Sequence, residues 1–330
     1  MTELDSRTIE QCSMPQVSIV IVCMNRPDNL EPCLDSLRRY TSVSYEIWVV
    51  AYLFDKEALA KLQAEFPEVH WVESDEIRGF AENNNLALRQ VTGEYVLCIN
   101  DDTRIFMRTV DILVNNFAKL PENAAILSPK IDFPSGETQT CGRPKQTAWR
   151  YILERLHLDG KDQKDDTQSK RPITYSIYQT SDINGACFMI RRDIFEELGW
   201  FDERYFFTPE DIALSTKARE KGYGVYVDVD SLVIHYHHKT ARKVITATKP
   251  AGMRGFLMFH SRGRALRYFF LGCIVWWIEF CKWCWASLRC LWNSKKGLRV
   301  QRTVYAHNLA SIFTTKTPKE IFIKYYSRLQ

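Results

Sequence analysis

The sequence lacks the two glycine-rich motifs that commonly form a nucleotide phosphate site. No Gly-x-Gly-x-x-Gly follows its first apolar run, and no Gly-x-x-x-x-Gly-Lys-Ser/Thr occurs along its 330 residues. These absences exclude the usual phosphate cradles of dinucleotide oxidoreductases and P-loop phosphotransferases. The first 15 residues also lack the apolar core of a signal peptide, and we expect a protein of the reducing cytoplasm.

Acidic residues are scarce in the last part of the chain. Residues 239–330 contain 18 Lys and Arg but only two acids, Glu279 and Glu320, which gives this region a net charge of +16. Residues 1–238 contain 26 basic and 38 acidic residues, a net charge of −12. The overall charge of +4 therefore hides an acidic body and a basic C-terminal region, and we expect these to meet different partners.

The ten cysteines predict neither a disulfide framework nor a metal cluster. Cys23 and Cys98 stand in strongly apolar runs, where a free cysteine behaves as a small buried hydrophobe. The one close pair, Cys281 and Cys284, has no second pair to complete a zinc ribbon. We predict that this pair fills an apolar helix surface.

Apolar runs and helical periodicity alternate along the first part of the chain. This βαβ alternation predicts an α/β fold with a doubly wound, mostly parallel sheet, in which ligands bind beyond the carboxyl ends of the strands. Residues 159–171 are polar and predict a mobile loop. The predicted strands are 17–23, 45–50, 69–73, 95–99, 124–128, 225–229 and 232–235, and the predicted helices are 28–40, 56–66, 80–90, 110–120, 191–198 and 209–221.

Asn100, Asp101 and Asp102 follow the predicted buried strand 95–99. Carboxylates in this position face the ligand crevice, and their oxygens suit Mg²⁺ or Mn²⁺ bound together with substrate phosphates. A simple turn is the alternative, because Asn and Asp favour turns.

Glu210 and Asp211 open a predicted helix after Thr208 and Pro209. Thr at the N-cap, Pro in the first helical position and acids in the first turn explain this stretch structurally. The functional interpretation is a general base presented to the crevice. His235 ends a late strand, where it either packs or ligates a metal.

Five stretches in order resemble the inverting glycosyltransferases of family two with the GT-A fold, and especially their rhamnosyltransferase-like members. The resemblance runs from about Val17 to His238. It includes the first strand with its nucleotide loop, a Gly-Phe…Asn-Asn loop, an Asp-x-Asp motif in its Asn-x-Asp form, an acceptor-side segment and a stretch similar to the Glu-Asp-x-Asp-Leu motif. The stretches are 17–30, 78–85, 93–103, 184–203 and 207–214.

The resemblance implies transfer of a sugar, with inversion, from a UDP- or dTDP-sugar to a saccharide or lipid-linked saccharide in cell-surface polysaccharide synthesis. It implies Asp211 as the base and Glu210 as a residue that orients the acceptor or supports that base. Asp102 and His235 would hold a divalent metal, Mn²⁺ or Mg²⁺. The donor-binding residues implied by it are Asn25, Arg26, Arg78, Gly79, Phe80, Asn84, Asn85, Asn100 and Asp101.

The chain departs from the family pattern at three positions. Ala51 stands where the family usually has an Asp that contacts the nucleotide base, and Asp55 is the alternative for that role. Ala213 replaces the second Asp of Glu-Asp-x-Asp, and Asn100 replaces the first Asp of Asp-x-Asp. A catalytically degenerate member that acts as a membrane-bound binding or scaffold protein is therefore the second hypothesis.

We divide the chain into an N-terminal tail (1–15), a GT-A domain (16–238) and a basic, Trp-rich helical region (239–330). Residues 268–278 are free of charge over only 11 residues, whereas a spanning helix needs about 20. As a helix, 268–292 carries five of the nine Trp and a polar stripe that includes Glu279, Lys282 and Arg289. This pattern favours a peripheral helix on the anionic, cytoplasmic face of a membrane. A helix packed on the catalytic domain is the alternative, and no nucleic-acid motif is present.

Overall fold

The first half of the chain forms parallel strands that alternate with helices. The computed structural model describes residues 14–158, 176–236, 244–292 and 295–328. Each predicted strand and helix up to residue 99 is confirmed within a few residues. The elements are β1 (Val17–Met24), α1 (Pro27–Tyr40), β2 (Tyr45–Tyr52), α2 (Lys56–Glu65), β3 (Val69–Ser74), α3 (Phe80–Leu88) and β4 (Tyr95–Ile99).

Shorter strands and helices follow before the C-terminal region. The two predicted late strands are one long strand, β11, with an irregular register between Asp228 and Leu232. The elements are β5 (Thr103–Arg104), α4 (Thr109–Phe117), β6 (Ala124–Asp132), β7 (Gly142–Arg143), α5 (Ala148–Leu156), β8 (Ile177–Gln179), β9 (Asp182–Ile183), β10 (Cys187–Arg191), α6 (Arg192–Glu197), α7 (Glu210–Glu220) and β11 (Gly224–His235).

The main sheet has nine strands in the described residues, and its path runs β3-β2-β1-β4-β10-β6-β11-β5, with β8 beside β11. β1 to β4 are parallel, and β11 is parallel to β6. β10 lies antiparallel between β4 and β6, so the simple succession expected from the sequence is interrupted there. The mixed but mostly parallel sheet confirms the predicted α/β class.

Apolar side chains cover both faces of the sheet. Ile19 and Ile21 of β1 point to the layer of α1 and α4, whereas Val20 points to the layer of α3, α6 and α7. This division follows from the alternation of side chains along a strand. Two closed faces leave the strand ends as the open edge, where a ligand can reach polar groups.

The described part of the C-terminal region contains four helices: α8 (Ile245–Ser261), α9 (Ala265–Trp292), α10 (Lys296–Ile312) and α11 (Pro318–Tyr326). They pack on one another and against the preceding α/β domain. Phe322 of α11 contacts Phe206 with ring centroids 4.4 Å apart, and Lys319 pairs with Glu82 of α3 at 2.8 Å. The basic region is thus a helical layer against the domain, although our division at residue 238 stays a prediction.

Some predictions fall outside the described residues. These are most of the N-terminal tail, the loop at 159–171 and the boundary at His238.

Candidate active site

Asp102 and His235 meet at the carboxyl edge of the sheet. Asp102 lies between β4 and β5, and the pairing of β5 with the end of β11 aligns Thr103 with His235. His235 Nε2 is 3.1 Å from Asp102 Oδ1, and neither side chain is more than 10% exposed. The two residues are distant in sequence, and they converge because β4 and β11 end at the same edge.

Gln139 determines which nitrogen of the His235 ring carries a proton. The Gln139 side-chain nitrogen donates to the carbonyl oxygens of His235 and Asp132, at 3.0 and 3.4 Å. Its Oε1 therefore faces His235 Nδ1, 3.0 Å away, and can only accept, so the geometry assigns a proton to Nδ1. Nε2 of the same ring lies 3.1 Å from Asp102 Oδ1: a protonated ring donates to this carboxylate, and a neutral ring offers a lone pair to a cation held together with Asp102.

The Asp102 and His235 atoms fit a partial site for a divalent cation. Carboxylate oxygens suit Mg²⁺ and Mn²⁺, and Mg²⁺ is usually held by one or two carboxylates together with substrate phosphates and water. Within residues 14–158, 176–236, 244–292 and 295–328, no three His, Cys, Asp or Glu side chains cluster to hold a metal. A phosphate-bearing ligand would thus complete the coordination.

Asp101 is turned toward β1 and the start of α1. Burial, together with the charge of Asp102, raises the pKa of Asp101 to about 7, and hydrogen bonds from Cys23 and Asn29 oppose this rise. These contacts join the loop at 100–102 to β1 and α1. The donor-binding role implied for Asp101 stays a prediction.

Asp211 lies in the first turn of α7, and two donors hold its carboxylate. Arg143 Nη2 donates to Oδ2 at 2.5 Å, and the backbone N–H of Gly185 donates to the same oxygen at 3.2 Å. A Cβ atom added to Gly185 would lie 3.2 Å from the Cβ of Asp211. The absence of a side chain at Gly185 therefore lets its backbone N–H approach the Asp211 carboxylate closely.

The neighbouring Glu210 has a different environment. It is buried, and its Oε2 has no hydrogen-bond partner among the described residues. Burial, followed by the charge of Asp211, raises the pKa of Glu210. The two adjacent acids therefore differ in environment: Asp211 is hydrogen-bonded and Glu210 is desolvated.

The start of α7 differs from the predicted cap. Pro209 occupies the cap position, and no side chain caps the helix. Thr208 packs instead against α8, where a Cβ on Gly255 would lie 2.4 Å from the Thr208 carbonyl oxygen. The C-terminal region thus supports the segment that precedes Asp211, a tertiary contact that the local pattern does not contain.

Residues 184–186 connect the Asp102 loop with Asp211. The N–H of Asn100 donates to the carbonyl oxygen of Ala186 at 2.9 Å, beside the Gly185 N–H that contacts Asp211. Asn184 Nδ2 donates to the Thr140 carbonyl at 3.1 Å, and its Oδ1 accepts from the Ala186 N–H at 3.0 Å. The paired Asp102 and the held Asp211 are therefore two ends of one hydrogen-bonded edge.

The loop at 78–80 packs against the segment leading to α7. The N–H of Phe80 donates to the Phe206 carbonyl at 2.9 Å, and a Cβ on Gly79 would lie 2.5 Å from that oxygen. Arg78 donates to Ser74 Oγ at 3.1 Å and to Glu76 at 2.8 Å. Gly79 is thus required by close approach, and Arg78 is held beside the end of β3.

Asn84 and Asn85 are buried inside the protein. Asn84 Nδ2 donates to the Phe80 carbonyl at 2.9 Å within α3. Asn85 donates to the Phe201 carbonyl at 2.9 Å and to Glu203 at 2.8 Å, and its Oδ1 accepts from the Phe201 N–H at 3.1 Å. These bonds hold α3 against residues 201–203, so any effect of the two side chains on a donor would be indirect.

Asn25 and Arg26 follow β1 directly. Asn25 has a left-handed backbone with φ of 46°, and its Oδ1 accepts from the N–H of Asp55 at 3.0 Å. Arg26 pairs with Asp28 at 2.8 Å; this hydrogen bond is the main cause that raises the pKa of Arg26, and the charge of Asp101 adds to it. The two residues therefore join the ends of β1, β2 and β4.

The departures at Ala51 and Asp55 have clear structural environments. Ala51 is buried within β2, aligned with Cys23 and Glu73. The Asp55 carboxylate caps α2 by accepting from two backbone N–H groups at 3.1 and 3.0 Å. Asp55, the alternative to the family's base-contacting Asp, therefore already uses its carboxylate to cap α2.

Ala213 lies away from the candidate site. It lines a cleft of about 770 Å³ together with Trp200, Lys217 and Phe259. Neither Asp102, Asp211 nor His235 lines this cleft, and residues two apart on a helix do not face each other. Replacing an acid at position 213 with alanine therefore removes no group beside Asp211.

Sequence reasoning missed Gln139 and Arg143. Both lie between residues 132 and 180, where the alternation of strands and helices breaks and no periodic pattern indicates a site. Their importance comes from contacts with His235 and Asp211, which are far along the chain. The one signal in the sequence was the positive charge of Arg143, which stands in a stretch without helical spacing.

Comparisons with known proteins identify a family for this sequence. The sequence profile described as Glycosyl transferase family 2 matches residues 18–199. The O-antigen biosynthesis protein RfbC of Myxococcus xanthus is 25% identical over 236 residues, which are 69% of this chain and 18% of that protein. The N-acetylglucosaminyl-diphospho-decaprenol L-rhamnosyltransferase of Mycobacterium tuberculosis is 27% identical over 171 residues, 45% of this chain and 49% of the relative. The chain thus spans less than half the length of these two relatives.

A solved structure is similar in fold. The crystal structure of GalNAc-T7 with UDP, GalNAc and Mn²⁺ has a TM-score of 0.55 and 17% sequence identity, and the match covers 72% of this chain and 51% of that one. At this identity the likeness concerns the fold, and it confirms the predicted GT-A architecture.

Proposed function

The chain belongs to glycosyl transferase family 2, and from this premise we propose that it transfers a sugar, with inversion, from a nucleotide-diphosphate sugar to a saccharide hydroxyl. One observation carries the proposal. The Asp102–His235 pair and the Asp211 carboxylate lie on one hydrogen-bonded edge, joined through residues 184–186. Leaving-group and nucleophile chemistry need two such groups on opposite sides of one sugar.

Asp211 is the proposed general base. It would take the proton of the acceptor hydroxyl as that oxygen attacks the anomeric carbon and the bond to the diphosphate breaks. Arg143 and the Gly185 N–H hold the carboxylate in one orientation. Glu210, with its unpaired and buried Oε2, is the proposed support for the acceptor side.

Asp102 and His235 are the proposed ligands of Mn²⁺ or Mg²⁺, with Gln139 as the outer-shell partner of the histidine. When bound, such an ion neutralises negative charge on the departing diphosphate. Support comes from the ring position of His235, with Nδ1 3.0 Å from Gln139 Oε1 and Nε2 3.1 Å from Asp102 Oδ1, and from the Mn²⁺ in the similar GalNAc-T7 structure.

We propose a UDP- or dTDP-sugar as donor, bound along the ends of β1 to β4, and a lipid-linked saccharide as acceptor in polysaccharide synthesis. The acceptor side is supported by a cavity of about 150 Å³ next to Arg143, which Arg150, Ile212 and Phe256 also line. The cytoplasmic face of a membrane is the proposed location, because the cysteines of the described residues are all free, as in a reducing compartment.

Two variants test the proposal on the full chain. With UDP-, dTDP- and GDP-sugars and Mn²⁺, we expect sugar transfer to a lipid-linked saccharide to fall about 10²- to 10⁴-fold in Asp211→Asn, while donor binding persists. Asp102→Asn should instead weaken Mn²⁺-dependent donor binding. Asp193→Asn, a first-turn acid of α6 exposed to water, is the matched control. Tight donor binding without turnover in the parent protein would favour a degenerate binding protein, and a retained anomeric configuration would contradict inversion.

A further inference from the structure

One face of α9 is apolar and exposed along the whole helix. Its residues are between 45% and 90% exposed, and the helix extends about 39 Å between the first and the last of them. Exposed apolar surface of this extent marks an interaction site in soluble proteins. This aromatic face consists of Leu266, Phe270, Ile274, Trp277, Trp285 and Trp292.

The opposite face of α9 is fixed by buried polar contacts. Glu279 is fully buried and forms an ion pair with Arg155 of α5. Asn308 of α10 donates to Glu279 Oε2 at 2.6 Å. The helix cannot rotate without separating these groups, and unpaired buried charges are costly. The aromatic face is therefore directed outward by the fold.

Positive charge surrounds both ends of the aromatic face. Arg264 and Arg267 are exposed at its beginning, and Arg289, Lys296 and Arg299 are exposed at its end. Among the described residues from 244 onward, the only acids are Glu279, which is paired internally, and Glu320. Trp flanked by Lys and Arg is typical of a helix at the boundary between lipid and water.

We propose that the aromatic face of α9 lies in the plane of an anionic phospholipid surface. By length and composition, α9 could also cross a membrane. A crossing helix, however, would have to leave the contacts of Glu279, and a third of its most apolar window is already buried in the protein. An interfacial helix keeps these contacts and inserts only the outward side chains.

This orientation connects the lipid surface with the proposed acceptor site. α5 carries Arg155, which binds Glu279 of α9, and its first turn lies next to Gln146, whose N–H donates to Asp182 at 3.0 Å. The same segment supplies Arg143 to Asp211. Only this connection rests on the proposed transferase function; lipid binding itself does not.

Vesicle flotation of the full chain tests the proposal without any sugar donor or acceptor. We expect binding to vesicles of phosphatidylcholine with 30% phosphatidylglycerol and much weaker binding to phosphatidylcholine alone. Trp277→Ser with Trp285→Ser should reduce binding at least tenfold. Phe106→Ser with Val229→Ser removes two exposed apolar side chains of the catalytic domain and should leave binding unchanged. Each of Arg289→Gln and Lys296→Gln should cost about fivefold.

Three results would overturn the proposal. The first is equal vesicle binding by the tryptophan variant and the parent. The second is resistance of the vesicle-bound protein to extraction at alkaline pH, which would mean that α9 spans the bilayer. The third is a lipid-free dimer that dissociates in the tryptophan variant, which would assign the aromatic face to a second copy. Loss of vesicle binding with an unchanged circular dichroism spectrum supports it, because the variant is then still folded.

Discussion

The catalytic domain and the C-terminal helices place polar groups in opposite ways. In the domain, apolar side chains fill both faces of the sheet and the polar side chains Asp102, His235 and Asp211 gather at its edge. In the helical region, Glu279 lies at zero exposure while Trp277 and Trp285 point outward. A protein surface of the second kind suits a solvent less polar than water. The two regions therefore differ in the environment that each surface suits, which is the basis of our proposal that α9 meets a lipid surface.

The largest expected effect comes from breaking the polar interior of the helical region. Glu279→Ala removes one partner of the buried pair and leaves Arg155 without its carboxylate, which we expect to cost about 3–5 kcal/mol of unfolding free energy. Chemical denaturation followed by tryptophan fluorescence measures it. Arg289→Ala, an exposed residue of the same helix, is the control and should change stability by less than about 0.5 kcal/mol.

A double variant sharpens this test. Because apolar replacement of a buried pair is often neutral, Arg155→Met with Glu279→Leu should recover most of the lost stability. If the double variant is no more stable than Glu279→Ala, the ion pair itself contributes to the free energy of unfolding. The buried charges would then do more than neutralise each other.

Crowding of the loop at 78–80 should have the next largest effect. A Cβ on Gly79 would meet the Phe206 carbonyl oxygen at 2.5 Å, so Gly79→Ala must move backbone, and we expect a loss of about 1–3 kcal/mol in thermal or chemical unfolding. Gly297→Ala is the matched control: it lies in α10 with no atom within 4 Å of the added Cβ, and it should gain about 0.5–1 kcal/mol. Equal effects at both positions would contradict the close packing of the loop.

Gln139 tests whether the polar edge is organised for a metal. Gln139→Leu removes the acceptor that fixes the Nδ1 proton of His235, and loss of such a partner typically weakens metal affinity about 10–100-fold. Titration of Mn²⁺ in the presence of a nucleoside diphosphate, followed by electron paramagnetic resonance, measures it. Gln90→Leu removes an exposed amide in the turn after α3, where its Nε2 donates to the Leu86 carbonyl oxygen, and it should leave the affinity for Mn²⁺ unchanged.

The smallest expected effects compare helix caps in the two regions. Asp55 caps α2 in the domain, and Thr317 caps α11 in a reciprocal pair with Glu320. Loss of either cap by substitution with alanine should cost about 1 kcal/mol, measured by urea denaturation. Phe322 of α11 contacts Phe206 beside the loop at 78–80. Thr317→Ala should therefore also slightly lower the affinity for the proposed nucleotide-sugar donor. A donor affinity identical to that of the parent would mean that the two regions are independent at this contact.

Local patterns predicted most elements but not the order of the sheet. The strands and helices up to β4 follow from alternation and helical spacing, which are properties of neighbouring residues. The antiparallel insertion of β10 between β4 and β6 could not be predicted in this way, because strand neighbours are chosen by tertiary packing. The prediction that Thr208 caps α7 was wrong for a similar reason, because Thr208 packs against Gly255 of α8.

The sequence by itself determined the α/β class, the acids after β4 and at α7, and the polar stripe of α9, because each depends on short-range spacing. Tertiary structure decided which of these groups meet. It paired Asp102 with His235, gave His235 its Gln139 partner and Asp211 its Arg143 partner, and directed Glu279 inward by supplying Arg155. The physical reason is that charges and hydrogen-bonding groups act through distances in space, and the chain brings these distant positions together only on folding.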